Sequence, residues 1–220
     1  MIRFENVSKI YQGHGLRKVV HNNLNFQIDR GVSIGICGAN GAGKSTLLRM
    51  IAGVEYPSSG RITKRMSTSW PIGYASCFQH KMTGADNVRF IARIYGRDTT
   101  EMLEYVEDFA RLGPYLDQPV STYSAGMVAR LAFGTSLAIK FDCYLVDEVT
   151  GAGDARFRRR SEEELIERRD NASLIMTSHD PAMLQRYCTR GAVLFGGVLT
   201  LYDTVAEACD VHQSLQMQAA

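Results

Sequence analysis

The chain has 220 residues, a formal net charge of +2, 45% hydrophobic and 22% charged residues, the profile of a soluble globular protein that can bury a substantial core without disulfides. So slight a charge gives no ground for nucleic-acid binding. Its five cysteines (Cys37, Cys77, Cys143, Cys188 and Cys209) are odd in number and lack a CxxC pair, which argues against a disulfide scaffold or zinc site and for a reducing compartment.

The opening MIRFENVSK lacks the apolar stretch of a signal peptide, and no run approaches the roughly 18 apolar residues of a membrane span. Work at a membrane would need an anchor from elsewhere. Strand character marks IRFENV (2–7), LNFQI (24–28) and VSIGIC (32–37), separated by Gly13, Gly15, Asn22-Asn23 and Gly31. Tyr11 suits either stacking on a nucleotide base or packing against the N-terminal sheet.

GANGAGKST (38–46) follows a strand and opens a helix, KSTLLRMIAG. Gly38, Asn40, Gly41, Ala42, Gly43, Lys44, Ser45 and Thr46 lie in it, and it matches the phosphate-binding pattern GxxxxGK[ST] without a mismatch. Its glycines let backbone amides approach a triphosphate. Lys44 can reach the β and γ phosphates, and Ser45 can ligate Mg²⁺.

Gln79, in SCFQHKMTG, has by itself the look of a surface amide. Residues 85–112 read as helices interrupted at GRD (96–98), and GPYLDQP (113–119) as a loop. YSAGM (123–127) precedes the amphipathic spacing Val128, Leu131, Ala132, Thr135, Ala138, Ile139. Ser124 and Gly126 therefore sit at a helix start, a second place that favours an anion.

CYLVDEV (143–149) is a continuous apolar run of the kind found in buried parallel strands, closed by Asp147 and Glu148. Beside a phosphate loop the first acid suits Mg²⁺ and the second suits taking a proton from an attacking water. GAGD (151–154) lacks the third glycine of a dinucleotide fingerprint. Arg156 and RRR (158–160), with EEE (162–164), read as a solvated face of a helix over 155–169. SLIMTS (173–178) is another buried strand, followed by His179, which can bond a γ phosphate or orient water. AVLFGGVLTL (192–201) reads as a hairpin, and a last helix of one or two turns is predicted from near Thr204. Strand–helix alternation implies a parallel α/β sheet, and 80–125 a helical insertion.

In their order and spacing, these residues resemble the nucleotide-binding subunit of an ABC transporter along almost the whole chain. The parts are the Walker A loop (38–46), the glutamine loop (Gln79), the signature (123–127), Walker B with its glutamate (143–148), the D-loop (151–154) and the switch histidine (His179). TGADNVRFIARIYG, YSAGMVARLAFGTSLA and GAGDARF look more narrowly like the ATP-binding proteins of bacterial capsular polysaccharide export. The resemblance implies one ABC ATPase domain over 1–220, with an N-terminal antiparallel β part, a parallel-sheet core and a helical subdomain near 80–140.

For the site it implies that Tyr11 stacks on adenine. Gln79, Ser45 and Asp147 touch Mg²⁺, Glu148 is the general base, and His179 binds the γ phosphate. Ser124 and Gly126 contact the ATP of a second copy, and Asp154 communicates across that dimer. Ala125 and Met127 replace the glycine and glutamine of the common LSGGQ signature. The implied assembly is an ATP-sandwich homodimer with ATP and Mg²⁺ between the copies. It would sit at the cytoplasmic face of the bacterial inner membrane, held by a multi-span membrane subunit that makes most contacts with the polysaccharide. Docking of that subunit is expected on 80–96, through Met82, Arg89, Phe90 and Arg93, with Ile91 and Ile94 in the core. The other readings are an exporter of O-antigen, teichoic acid or another lipid or glycan, and a soluble ABC ATPase outside transport. The chain's end soon after the last hairpin leaves no room for the carbohydrate-binding domain of some O-antigen exporters.

Overall fold

The computed structural model of the chain describes residues 1–13, 15–148 and 154–219. It opens with an antiparallel ribbon of β1 (Ile2–Gly13) and β2 (Leu16–Ile28), paired from Ile2 with Ile28 to Gly13 with Leu16. The ribbon is longer than the sequence pattern implied. Register shifts break its alternation after Phe4 and Val7, and Asn6 and Asn23 adopt left-handed φ of 51° and 52°. Asparagine tolerates that conformation, so the strands continue through bulges that hide their period.

Next come β3 (Ile34–Cys37), α1 (Lys44–Ala52), β4 (Ser59–Lys64) and β5 (Thr68–Pro71). The last two carried no clear strand signal. β4 is mostly exposed, and β5 has four residues ending in proline. The helical stretch holds α2 (Gly84–Ile94), α3 (Thr99–Ala110) and α4 (Ala125–Leu137), with a short 3₁₀ turn at Gly113–Asp117, where a plain loop was expected, and another at Val120–Thr122. Then follow β6 (Cys143–Asp147), α5 (Ala155–Asn171), β7 (Ser173–Thr177), α6 (Pro181–Tyr187), the hairpin β8 (Arg190–Phe195) and β9 (Val198–Tyr202), and α7 (Val205–Ala219).

α7 has 15 residues, well beyond the one or two turns expected. Its apolar periodicity is weak, and close packing holds it instead: Val205 and Ala208 are buried. Gly191 on β8 permits this, because a Cβ there would lie 2.4 Å from the Ala208 Cβ.

The chain forms two compact units, Met1–Pro71 with Phe141–Val149 and Ile166–Ala220, and Ile72–Lys140 with Thr150–Leu165. The first holds a three-stranded antiparallel sheet, β2-β1-β4, and a six-stranded sheet, β5-β6-β7-β3-β8-β9. All neighbours in the larger sheet are parallel except the β8–β9 pair. Ile2, Phe4, Ile36, Leu47, Leu48, Leu145, Ile175 and Leu194 form its core.

The second unit is helical and packs around the rings of Phe109, Phe133 and Phe157, with centroids 5.5–5.9 Å apart. Two expectations fail in it. Ile94 is 61% exposed, because it follows the last buried turn of α2, whereas Ile91 is buried as expected. Arg160 is not part of a solvated face: its Nη1 donates to the Asp108 carbonyl at 2.6 Å and its guanidinium lies 5.0 Å from the Phe109 ring centre. Its long stem covers apolar surface while the head finds oxygen acceptors.

Candidate active site

β6, β7 and β3 are adjacent parallel strands. Their carboxyl ends therefore present the acids after β6, His179 after β7 and the Walker A loop after β3 along one edge, where open α/β sheets bind ligands.

The Walker A loop is built around its glycines. Gly41 and Gly43 have φ of 78° and 103°, and a Cβ on Gly43 would lie 2.5 Å from Val20 Cγ1 and 2.8 Å from His21 Cε1. Any larger residue at 43 would be strained and would clash. α1 starts at Lys44 with no side-chain cap and no acid in its first turn. Its first N–H groups and the positive end of its dipole are left for an anion.

Lys44 is only 6% exposed, and its ammonium donates to the Gly38 and Ala39 carbonyls at 2.7 and 3.2 Å. A buried cation held by carbonyls alone suits a polyphosphate partner. The Ser45 hydroxyl has no protein partner among the described residues. Thr46 is buried on the first turn of α1.

Thr177 Oγ1 donates to Asp147 Oδ1 at 2.8 Å, and the Glu148 amide donates to the Thr177 carbonyl at 3.1 Å. The sequence reading missed Thr177, an ordinary strand residue whose value comes from strand pairing. Glu148 has φ 44°, a left-handed conformation costly for a glutamate. Its Oε1 accepts from His179 Nε2 at 2.7 Å, with both side chains about half exposed. The Ser45 hydroxyl and the Asp147 carboxylate are oxygen donors, one neutral and one anionic, of the kind a hard divalent cation prefers.

Tyr11, on β1, is 40% exposed, and its hydroxyl lies 3.4 Å from Thr46 Oγ1, which ties it to the Walker A helix. Tyr11, the Walker A residues, Asp147, Glu148 and His179 all belong to the first unit.

Gln79, Ser124, Gly126 and Asp154 belong to the second. Gln79 is exposed, and its backbone is clamped by the buried Asn87 side chain: the Gln79 amide donates to Oδ1 at 2.8 Å, and Nδ2 donates to the Gln79 carbonyl at 3.1 Å. Asn87 was also missed, although a lone amide on the inner face of α2 is the kind of signal that could find it. Ser124 caps α4, its Oγ accepting from the Met127 amide at 3.3 Å. Gly126 faces open space, where an added Cβ would meet nothing within 4 Å. Asp154 Oδ1 accepts from the Phe157 amide at 2.8 Å at the start of α5. Residues 151–153 of the D-loop lie outside the described residues.

Residues 21–151 match the ABC transporter family. The chain belongs to the ABC transporter family. It is 44% identical to the ATP-binding protein BexA of Haemophilus influenzae, over 98% of this chain and 100% of that one. It is 46% identical to the capsule polysaccharide export ATP-binding protein CtrD of Neisseria meningitidis serogroup B, again over 98% and 100%. Among solved structures it is similar to the ABC cassette MJ0796, solved as a dimer in a post-hydrolysis state bound to ADP and Pi. The TM-score is 0.77 and the identity 19%, with 93% of this chain and 99% of that one covered. That structural likeness carries the ABC cassette fold. Among the described residues no helix is long and apolar enough to cross a membrane, and all five cysteines of this ABC protein are free thiols.

Proposed function

We propose that the chain is the ATP-hydrolysing subunit of an ABC exporter. It would drive a lipid-linked capsular polysaccharide across the bacterial inner membrane from the cytoplasmic face, through a separate multi-span membrane subunit. The observation that carries the hydrolytic part is the contact of Glu148 with His179 at the adjacent ends of β6 and β7, next in the sheet to β3, whose following loop leads to the buried Lys44. The cargo rests on near-full-length similarity to a protein named for capsule polysaccharide export.

The triphosphate would lie against the N–H groups of 38–46 and the start of α1, and Lys44 would exchange its two carbonyl acceptors for phosphate oxygens. Ser45 and Asp147 would hold Mg²⁺, which when bound offsets the negative charge of the phosphates. Thr177 keeps Asp147 in place. Tyr11 would stack on the adenine. Glu148 would accept the proton of the attacking water, and His179 would bond the γ phosphate. Their mutual hydrogen bond would give way to these partners, so binding of the nucleotide sets both groups at work together.

Two copies would assemble head to tail, with Ser124 and Gly126 of one at the Walker A loop of the other and Asp154 between them. The dimeric state of the MJ0796 cassette supports this reading. The helix α2 would receive a cytoplasmic helix of the membrane subunit. Support comes from Phe90 and Ile94, exposed one turn apart beside Arg93.

The test is Glu148→Gln in the chain purified with its membrane subunit. ATP binding should persist while turnover falls about 10²–10⁴-fold, on the order of 3–5 kcal/mol of barrier, and surface polysaccharide should be lost from cells carrying the variant. Unchanged turnover would overturn the base assignment, and unchanged capsule would overturn the cargo.

A further inference from the structure

Glu55 lies just beyond α1, and three side chains converge on its carboxylate. Tyr11 Oη and Lys9 Nζ donate to Oε1 at 2.5 and 2.9 Å, and Arg49 Nε donates to Oε2 at 3.1 Å. The Glu55 side chain is 18% exposed. Burial pulls its pKa upward, but the bonds from Tyr11, Lys9 and Arg49 together outweigh burial and hold it at about 2. It is therefore a firm anion at any working pH.

The cluster reaches the phosphate loop. Arg49 Nη2 donates to Thr46 Oγ1 at 3.1 Å, and the same hydroxyl lies 3.4 Å from Tyr11 Oη. Lys9 has a further hold, donating to the Tyr56 carbonyl at 2.8 Å, and its ammonium lies 5.0 Å from the Tyr11 ring centre. The ring is thus pinned at its hydroxyl by Glu55 and covered on one face by a cation, while part of it stays open to solvent.

We infer that Glu55 is a positioning residue for nucleotide recognition: together with Lys9 and Arg49 it fixes the Tyr11 ring beside the Walker A helix, so that the face opposite Lys9 receives the purine base. The inference rests on the reading of Tyr11 as the base-stacking residue. A tyrosine on a ribbon edge would otherwise lose rotamer freedom when a base binds, and a ring already fixed avoids that loss. Stacking depends on the offset and separation of two ring planes, so a held ring selects for a base where a swinging one would not. The phosphate loop makes its own contacts through backbone N–H groups and Lys44. Loss of Glu55 should therefore weaken the base and spare the phosphates.

The experiment measures binding of Mg²⁺–ATP and of inorganic tripolyphosphate to the full chain and to Glu55→Gln, Tyr11→Phe, Tyr11→Ala and the Glu55→Gln/Tyr11→Phe double variant. Glu55→Gln keeps the shape of the side chain and removes the charge. It should raise the Kd for ATP about 3- to 10-fold, the range set by freeing one side chain, with the tripolyphosphate Kd unchanged. Tyr11→Phe keeps the ring and removes its tether. It should match Glu55→Gln, and the double variant should be no weaker than either, as expected when two groups act through one contact. If Glu55→Gln weakens tripolyphosphate as much as ATP, the residue supports the phosphate loop and the inference is overturned. If Tyr11→Ala weakens ATP while Glu55→Gln is silent, Tyr11 stacks without help from Glu55, and only the inference falls. If Tyr11→Ala itself leaves ATP binding unchanged, base stacking by Tyr11 falls, and the inference falls with it.

Discussion

His21 sits fully buried on β2 beneath the Walker A loop, with Gly43 packed so closely that a Cβ would reach its ring. Burial pulls its pKa down from 6.5 to about 4, against smaller upward pulls from the Gly43 backbone and the Glu55 charge. The imidazole is thus neutral in the folded chain and takes a proton on unfolding wherever the pH lies below 6.5. Its contribution to stability is complete above pH 6.5 and is lost as the pH falls towards 4. Between pH 7 and pH 5 the loss should be about 2 kcal/mol. Urea unfolding at the two pH values measures it, and His21→Gln should remove that part of the difference. An equal slope in the variant would exclude His21 as the cause. Glu55 acts in a separate, more acidic window. Its depressed pKa contributes stability above the ordinary 4.5 and loses it between there and about 2. The two residues can therefore be told apart by pH alone.

At the scale of one element, α2 shows how a helix divides its faces. Thr83 caps it by accepting from the Asp86 amide at 3.0 Å, and Val88, Ile91 and Ala92 are buried on one side. Phe90 (53% exposed) and Ile94 remain outside, with Arg93 beside them and Arg89 held by Asp86 at 3.1 Å. Large apolar side chains exposed one turn apart, next to cations, fit an apolar anchor with a polar rim. Phe90→Ser should weaken assembly with the membrane subunit by about 2 kcal/mol, roughly 30-fold, if Phe90 is an anchor of that interface. Arg93→Glu should weaken it through charge. Neither change should alter ATP binding by the separate chain, since the nucleotide elements of the first unit are untouched. Co-purification with the membrane subunit and nucleotide titration check both halves. A membrane subunit found seated on α5, with α2 in solvent, would refute this surface.

At the scale of the whole molecule, one chain carries two anion-ready helix starts, α1 with no side-chain cap and α4 capped by Ser124. One triphosphate fills one of them, so a head-to-tail pair gives both a use. Cysteines placed at Ser124 and at Asn40 should then crosslink between copies when ATP is present in a Glu148→Gln background, which holds the nucleotide uncleaved. The chain's own five cysteines must be replaced first. Crosslinked dimer should be scarce without nucleotide. Failure to form it with ATP would count against the trans arrangement. Gly126, open to space on α4, should tolerate no bulky residue in this test, because the space it leaves is where the other copy's phosphate would lie.

The chemistry of the site was legible as local words: Gly38 to Thr46 as a phosphate loop, Asp147-Glu148 after an apolar run, and Ser124 before a helix. Such motifs are readable because each depends on neighbours in sequence, namely a glycine with a positive φ, a buried strand, or a cap three residues from its amide. The strand–helix alternation of the core was legible for the same reason. β4 and β5 were not, because exposure and brevity remove the alternating signal, nor was the length of α7, which depends on close packing against Gly191 of β8 rather than on its own apolar period. Ile94 was misplaced because the period of α2 cannot say where the neighbouring helices stop covering it. The sequence by itself determined the residue types able to hold a triphosphate and their order along the chain. Only the tertiary structure decided which of them meet: Thr177 with Asp147 through the pairing of β6 and β7, Glu148 with His179 across the same two strand ends, and Glu55 with Tyr11 over 44 residues. The physical reason is that a hydrogen bond depends on distance in space to a few tenths of an ångström, and sheet order and register set that distance.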